Sequence, residues 1–416
     1  MRRHFLVLPV LLSSLAATAS GFDNGPQGAR ILGLGGASTA YANSIASIFT
    51  NPGLLGEWAD SAAHTHVSLG GLGLSRRSSF IGQDSYQRTD QELTIQPGGY
   101  LYATHTISKR LAVGLALNTP YGYHTQWPSN WEGRSVIQES QLNTYSVQPT
   151  VGYRISDNFS AGLGLIYTYG KYSQRRALGQ YDDRNAQASL STTGGGVGFS
   201  AGFYGRSGDN LAFGISYRSP VKMKLHNGTA TYTNVPAYDA SVFPASAGLR
   251  TNLELPSMLS VGLADHVTKN LLLTFDFTLS GWSTLDSLIF DVAASGAAPA
   301  ARIAAKRGYE DALAFRIGAE YVASPKFTVL AGINYDETPL RDEYINPEFV
   351  DANRLGASAG FVYQLTPLLA LEAAYSFSYG QLRTARAKID QENVANISGT
   401  YRTAINNASL GVSVAF

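Results

Sequence analysis

Cysteine is absent from this 416-residue chain. No disulfide framework is possible, and Cys-based metal or redox chemistry is excluded. Charge is scarce too: Asp, Glu, Lys and Arg make up 15% of the residues, and their balance leaves a formal net charge of +1. Such a balance gives no field of one sign for nucleic acid, so no nucleic-acid partner is expected. Beyond the N-terminal leader no long apolar run exists, and no transmembrane helix is expected. The 7 histidines show no metal-ligand spacing; His64 and His66 share a strand face without a carboxylate partner. No Ser/His or Asp/His constellation supports hydrolysis. The expectation is a non-enzymatic protein with no catalytic residues, no metal and no cofactor.

What is present in excess is glycine (43) and tyrosine (24). That excess suits a β protein with close backbone approach and interfacial aromatics. Residues 1–20 read as a secretory signal. Arg2, Arg3 and His4 are basic, and Phe5 to Leu12 is apolar but too short to span a bilayer. Small residues follow, with cleavage expected near Ala19 and Ser20. An exported chain without a membrane helix is periplasmic, secreted or an outer-membrane barrel.

The C-terminal strand selects among these. Leu410, Val412, Val414 and Phe416 alternate with Gly411, Ser413 and Ala415, so one face is apolar and the other small. A terminal strand of this kind suits a barrel whose last strand pairs with its first and removes the edge. The same alternation runs through Leu111, Val113, Leu115 and Leu117, and again through Leu271, Leu273, Phe275 and Phe277. Tight turns at Ser108-Lys109, Ser156-Asp157-Asn158, Thr268-Lys269-Asn270 and Thr366-Pro367 alternate with long polar connections such as 124–140, 226–254 and 338–352. All tight ends then fall on one side, the outer-membrane pattern. Counting segments from residue 63 to 416 gives about 14 strands. The expected fold is all-β: a transmembrane antiparallel β-barrel over 63–416, preceded by an N-terminal hatch over 21–62 that plugs the lumen.

The hatch differs in composition from the barrel. Gly33-Leu34-Gly35-Gly36 lacks the strand–helix context of a dinucleotide loop and reads as compact filling. Asn51-Pro52-Gly53 is a turn signal. Inward charges at Arg218, Asp276, Arg316, Glu320 and Glu372 are expected to clamp the hatch or cross-link the wall, since buried charges persist when paired. Trp127 and Trp131 are expected at the outer membrane interface.

Several motifs, taken in order, resemble the FadL-type outer-membrane family of long-chain fatty acid and aromatic hydrocarbon channels. Asn51-Pro52-Gly53-Leu54 is similar to the family's Asn-Pro-Ala motif, with Gly for Ala. Pro120-Tyr121-Gly122, Trp131-Glu132-Gly133-Arg134, Tyr217-Arg218-Ser219-Pro220, Leu255-Pro256-Ser257-Met258 and Gly332 to Pro339 resemble further family patterns over nearly the whole mature chain.

The resemblance implies an outer-membrane barrel for passive uptake of long-chain fatty acids or other hydrophobic small molecules. Asn51, Pro52 and Gly53 would belong to the hatch and gate. A kink at Pro120 and Gly122 in the third strand would open the wall sideways. Lys171 with Arg175, and Lys306 with Arg307, resemble the family's head-group contacts. An amphipathic acid needs an apolar lining and one or two such cations. The connection 174–193 has few apolar residues, so 226–254 is expected to supply more of an outer capture groove, through Tyr232, Phe243 and Leu249 among others. Outer-membrane lipid is the surrounding partner, and a monomer is expected. A second resemblance, to PorV-type barrels that bind secreted protein domains, gives the alternative function.

Overall fold

The computed structural model describes residues 21–60, 63–179, 185–385 and 397–416. The expected signal, 1–20, lies outside the described residues, as do 61 and 62 at the end of the expected hatch. Residues 65–415 form one closed antiparallel sheet whose segments fall into 14 strands. They are β1 (Thr65–Gly82), β2 (Gln96–Ser108), β3 (Leu111–Asn118, resuming at Gly122–Gln126), β4 (Glu139–Arg154) and β5 (Phe159–Ala177). Next come β6 (Gln187–Ser207), β7 (Leu211–Arg218, then Val221–Thr233), β8 (Ser246–Leu255, then Ser257–Thr268) and β9 (Leu271–Gly281, then Ser287–Val292). The circuit ends with β10 (Ala301–Lys306, then Ala312–Ser324), β11 (Phe327–Asp336), β12 (Arg354–Thr366), β13 (Leu369–Gly380) and β14 (Gly399–Ala415). The edge disappears because β14 pairs with β1 from His66↔Ala415 to Gly82↔Gly399.

Alternation fixes which way each side chain points. On β5, Leu163, Leu165, Tyr167 and Tyr169 face out, while Ile166 and Thr168 are buried inside. A tilted strand needs about 9–11 residues to cross the bilayer. β5 has 19 and β6 has 21. The barrel therefore rises well above the membrane on the long-loop side.

Five strands break on that side: β3, β7, β8, β9 and β10. Pro120, Pro220 and Pro256 sit at three of the breaks, where a missing N–H ends the ladder.

The lumen is filled from both ends. Residues 21–60 carry helix α1 (Ala29–Gly33) and two 3-10 segments, Ile45–Ile48 and Pro52–Asp60. This segment crosses from one wall to the other. A methyl added at Gly33 would lie 2.8 Å from Leu330 on β11, and one added at Gly53 would lie 2.8 Å from the Phe203 backbone on β6. Gly35 and Gly36 take φ of +65° and +91°, reversing the chain after α1. Only glycine adopts that conformation at no steric cost, so the Gly-Leu-Gly-Gly run is a helix-end reversal.

The second filling comes from the β11–β12 connection, 337–353. Ile345 and Asp351 in it are fully buried. Here the structure corrects the sequence reading of Trp127 and Trp131. Both are buried, at 2% and 3% exposure, and their rings stack at 4.4 Å. Trp127 donates its indole N–H to the Pro347 carbonyl at 3.0 Å. The connection after β3 folds over the mouth and packs on the inward loop, so both rings join the core of the cover instead of the membrane interface.

Candidate functional site

A cavity of about 340 Å³ lies between the outer halves of β5 to β10. Its size falls in the ~300–1,000 Å³ range of small-molecule sites. Leu190, Tyr232, Leu249, Phe290, Val292 and Ile303 give it an apolar wall. Gln174, Arg176, Lys306, Arg307, Asn346 and Glu348 add polar groups. The cations differ in how they are engaged. Lys306 Nζ bonds both Asp286 oxygens at 2.5 and 2.6 Å. Arg307 donates to Glu348 at 2.5 Å. Arg176 has no acidic partner among the described residues.

Glu348 is the centre of a dense polar cluster. Its Oε1 accepts from Tyr172 at 2.6 Å, Tyr123 at 3.1 Å and Ser140 at 3.3 Å. Its Oε2 accepts from Arg307. Asn346 Oδ1 fixes the local turn by accepting from the Glu348 and Phe349 N–H groups at 3.0 and 3.4 Å. Burial alone would raise this carboxyl, but Arg307 and the tyrosine hydroxyls outweigh it and hold the group below its ordinary value. The Arg307–Glu348 pair stands between the outer cavity and a small inner void of about 30 Å³, both of which it lines.

Below that void the path meets the N-terminal segment. Phe22 packs edge-on to Phe349 and Trp282, at 6.2 and 4.6 Å. The same residues seal the break in β3. Asn24 N–H donates to the Pro120 carbonyl at 2.9 Å, Gly122 N–H donates to the Phe22 carbonyl at 2.9 Å, and Asn24 Nδ2 donates to the Thr119 carbonyl at 2.8 Å. Asp23, between them, lines two further voids of about 60 and 80 Å³. Burial pushes its carboxyl up to about 6, against the pull of the Gly25 N–H and Arg316. A last cavity of about 150 Å³, lined by Arg30, Glu372, Trp58 and His66, opens near the tight turns.

Of the five inward charges, four hold the N-terminal segment. Asp276 accepts from Ser38 N, Thr39 N and Thr39 Oγ1 at 2.7–2.8 Å. Glu320 accepts from the Tyr41 hydroxyl and from Asn43, and Glu372 pairs with Arg30 at 2.8 Å. Arg218 donates to the Phe49 carbonyl at 2.6 Å. Arg316 stays on the wall, paired with Asp336 at 3.0 Å.

The residues expected at the site from sequence divide sharply. Lys306 and Arg307 line the outer cavity. Lys171 and Arg175 do not: they share the outward face of β5 with Tyr167 and Tyr169, and Arg175 pairs with Glu139 at 2.9 Å. Their inward neighbours Gln174 and Arg176 line the cavity instead. From the connection 226–254, Tyr232 and Leu249 reach the cavity, both from strands and not from a loop. Asn51 ties the N-terminal segment to the wall: its Nδ2 donates to the Thr39 and Phe203 carbonyls, and its Oδ1 accepts from Gly53 N–H. Pro52 and Gly53 press on the wall glycines Gly162 and Gly202. Pro120 and Gly122 flank the sealed break in β3. Sequence reasoning did not reach Glu348, Tyr172, Tyr123 or Ser140.

The fold is shared with solved outer-membrane channels. A Pseudomonas aeruginosa FadL homologue superposes with a TM-score of 0.79 at 19% identity, covering 95% of this chain and 100% of that one. The P. putida toluene transporter TodX superposes with a TM-score of 0.74 at 16% identity, covering 94% and 98%. Among sequences, the long-chain fatty acid transport protein of Salmonella typhi is 22% identical over 90% of this chain and 91% of its own length. Outer membrane protein P1 of Haemophilus influenzae is also 22% identical, over 90% and 89%. The model of the outer membrane protein transport protein family (OMPP1/FadL/TodX) matches residues 10–416. With that match over nearly its whole length, this barrel belongs to the OMPP1/FadL/TodX family of outer-membrane transporters of hydrophobic compounds.

Proposed function

We propose that this protein conducts long-chain fatty acids across the outer membrane by passive diffusion. The observation that carries this reading is the outer cavity. It combines apolar wall residues with Arg176, a cation that no described acid neutralises. A neutral hydrocarbon would leave that charge without a role, whereas a fatty acid carboxylate would meet it and lay its tail along Leu249, Phe290 and Ile303. Residues 21–60 act as the hatch. Release runs sideways at the β3 break once the Phe22–Asn24 backbone lets go of Pro120 and Gly122. The binding of secreted protein domains is not favoured by the family match.

Uptake of radiolabelled oleate in cells lacking their own transporter tests this. Expected is protein-dependent uptake that falls in Arg176→Ala, with oleate affinity weakened by about tenfold or more, because a charged hydrogen bond contributes about 1.5–3 kcal/mol. Uptake of toluene but not oleate would overturn the fatty acid reading and leave the channel.

A further inference from the structure

The cluster around Glu348 has the composition of a carboxylate-binding site that is already filled. One guanidinium and three hydroxyls converge on one carboxylate, and every contact is 3.3 Å or shorter. Tyr123, Tyr172 and Ser140 belong to strands of the barrel wall, Arg307 to the break in β10 directly after Lys306, and Glu348 to the loop 337–353. The loop therefore delivers to the wall the same functional group that a fatty acid would bring. We propose that Glu348 is a built-in stand-in for the cargo's head group. A carboxylate entering from the outer cavity replaces it on Arg307 and the hydroxyls, and the outer loop is thereby released. This rests on the reading of the cargo as an amphipathic carboxylate.

The physical reason is the cost of the alternative. The pair lines both the outer cavity and the inner void, so cargo moving from one to the other meets it. Pulling Glu348 away with nothing in its place leaves Arg307 buried and unpaired, which is strongly unfavourable. Exchanging one carboxylate for another keeps Arg307 paired throughout and avoids that cost. A neutral chain of the same length offers no exchange, so the pair stays shut against it. The device thus selects acids over neutral compounds of the same shape.

Exchange also reaches the wall break. Phe349, next in the chain, packs edge-on to Phe22, and the Phe22 carbonyl accepts from Gly122 at the β3 break. Release of the loop removes that ring from Phe22 and loosens the seal. Entry of the head group and opening of the side exit are linked through two adjacent loop residues.

The test compares oleate with oleyl alcohol, in purified full-length protein for affinity and in cells for uptake. Wild type is expected to pass oleate and to exclude most of the alcohol. Glu348→Gln removes the competing charge and is expected to bind oleate about tenfold more tightly or better, because a self-occupied site lowers apparent affinity by the fraction of time it stands vacant. Should an unpaired Arg307 prevent Glu348→Gln from folding, Arg307→Met/Glu348→Met replaces the pair with apolar groups of similar size, a change often tolerated. That double variant is expected to lose the preference for acid over alcohol. Heat-modifiable migration on gels confirms a folded barrel in each case. Unchanged oleate affinity in Glu348→Gln, or an unchanged acid-to-alcohol ratio in the double variant, overturns the stand-in while leaving the fatty acid channel. Absence of protein-dependent oleate uptake in wild type overturns the channel reading and the stand-in with it.

Discussion

In the inner half of the lumen three wall acids receive donors from the filling, while wall hydroxyls such as Ser160 and Ser216 donate to its carbonyls. Asp276, Glu320 and Glu372 on the strands receive Ser38, Thr39, Tyr41, Asn43 and Arg30 from the N-terminal segment. In the outer half the arrangement is inverted. Glu348, Asp351 and Asp342 belong to the loop, and the cations Arg307, Arg76, Arg354 and Arg383 lie outside it, along the barrel. Arg218, which holds the Phe49 carbonyl, and Arg206, which pairs with Glu57 at 3.3 Å, are inner exceptions, and the loop's Arg341, 3.6 Å from Glu310, is an outer one. The difference sets what each filling responds to. A carboxylate cargo competes for the groups that hold the outer loop. It cannot compete for the wall acids that hold the N-terminal segment, because it carries their own charge. The outer cover is thus open to exchange, and the inner filling is not.

The comparison breaks most visibly at its centre. Glu348→Ala removes the loop's main acid and leaves Arg307 unpaired, so loop docking should weaken by about 3–5 kcal/mol. Hydrogen exchange should then show faster amides in 337–353 and unchanged amides in 29–60. Asp276→Ala should give the mirror image. Three donors lose their acceptor, at about 1–3 kcal/mol for each left unsatisfied and less where water enters. Limited proteolysis should cut within 29–60 faster and spare the outer loop.

A steric change sharpens the inner side. Gly53→Ala places a methyl 2.8 Å from the Phe203 backbone nitrogen, and overpacking of this kind costs about 1–3 kcal/mol. The same proteolysis should report it.

Acidity separates the two ends by sign. Asp23 has its folded value raised to about 6 from 3.8. The folded form therefore binds more protons between those values, and docking of the 22–24 seal weakens as pH rises through that window. Glu348 has its folded value lowered. Its contribution is present above the ordinary glutamate value and is lost as pH falls through the lowered one. Hydrogen exchange should find the seal firmer at pH ~5 than at pH ~7, and Asp23→Asn should abolish that difference.

The smallest effect is expected on the outward face. Lys171→Ala/Arg175→Ala removes one exposed ion pair, worth about 0–1 kcal/mol. It should leave oleate affinity unchanged, while Arg176→Ala weakens it.

The barrel was legible in the sequence because its determinants are local. Alternation and turn residues mark every strand, and the break at Pro120 follows from one missing N–H. The site was less legible for two physical reasons. Lys171 and Arg175 were expected at the ligand because they are cations near a family position, yet the parity of Leu163, Leu165, Tyr167 and Tyr169 already placed odd-numbered β5 residues outward. That signal was available and points to Gln174 and Arg176. The Glu348 cluster carried no such signal. Its partners lie 225, 208, 176 and 41 positions away, and a connection of mixed polar and apolar residues gives no period that says it folds inward. Trp127 depends on the same loop for its partner, the Pro347 carbonyl, and Trp131 stacks on Trp127, so their burial was hidden with it.

The most direct measurement is hydrogen exchange on the full-length protein in detergent, with and without oleate. The inverted charge arrangement is borne out if oleate speeds exchange in 337–353 and 22–24 while 29–60 stays protected, and if oleyl alcohol does neither. Loosening of 29–60 with the outer loop still protected would contradict it.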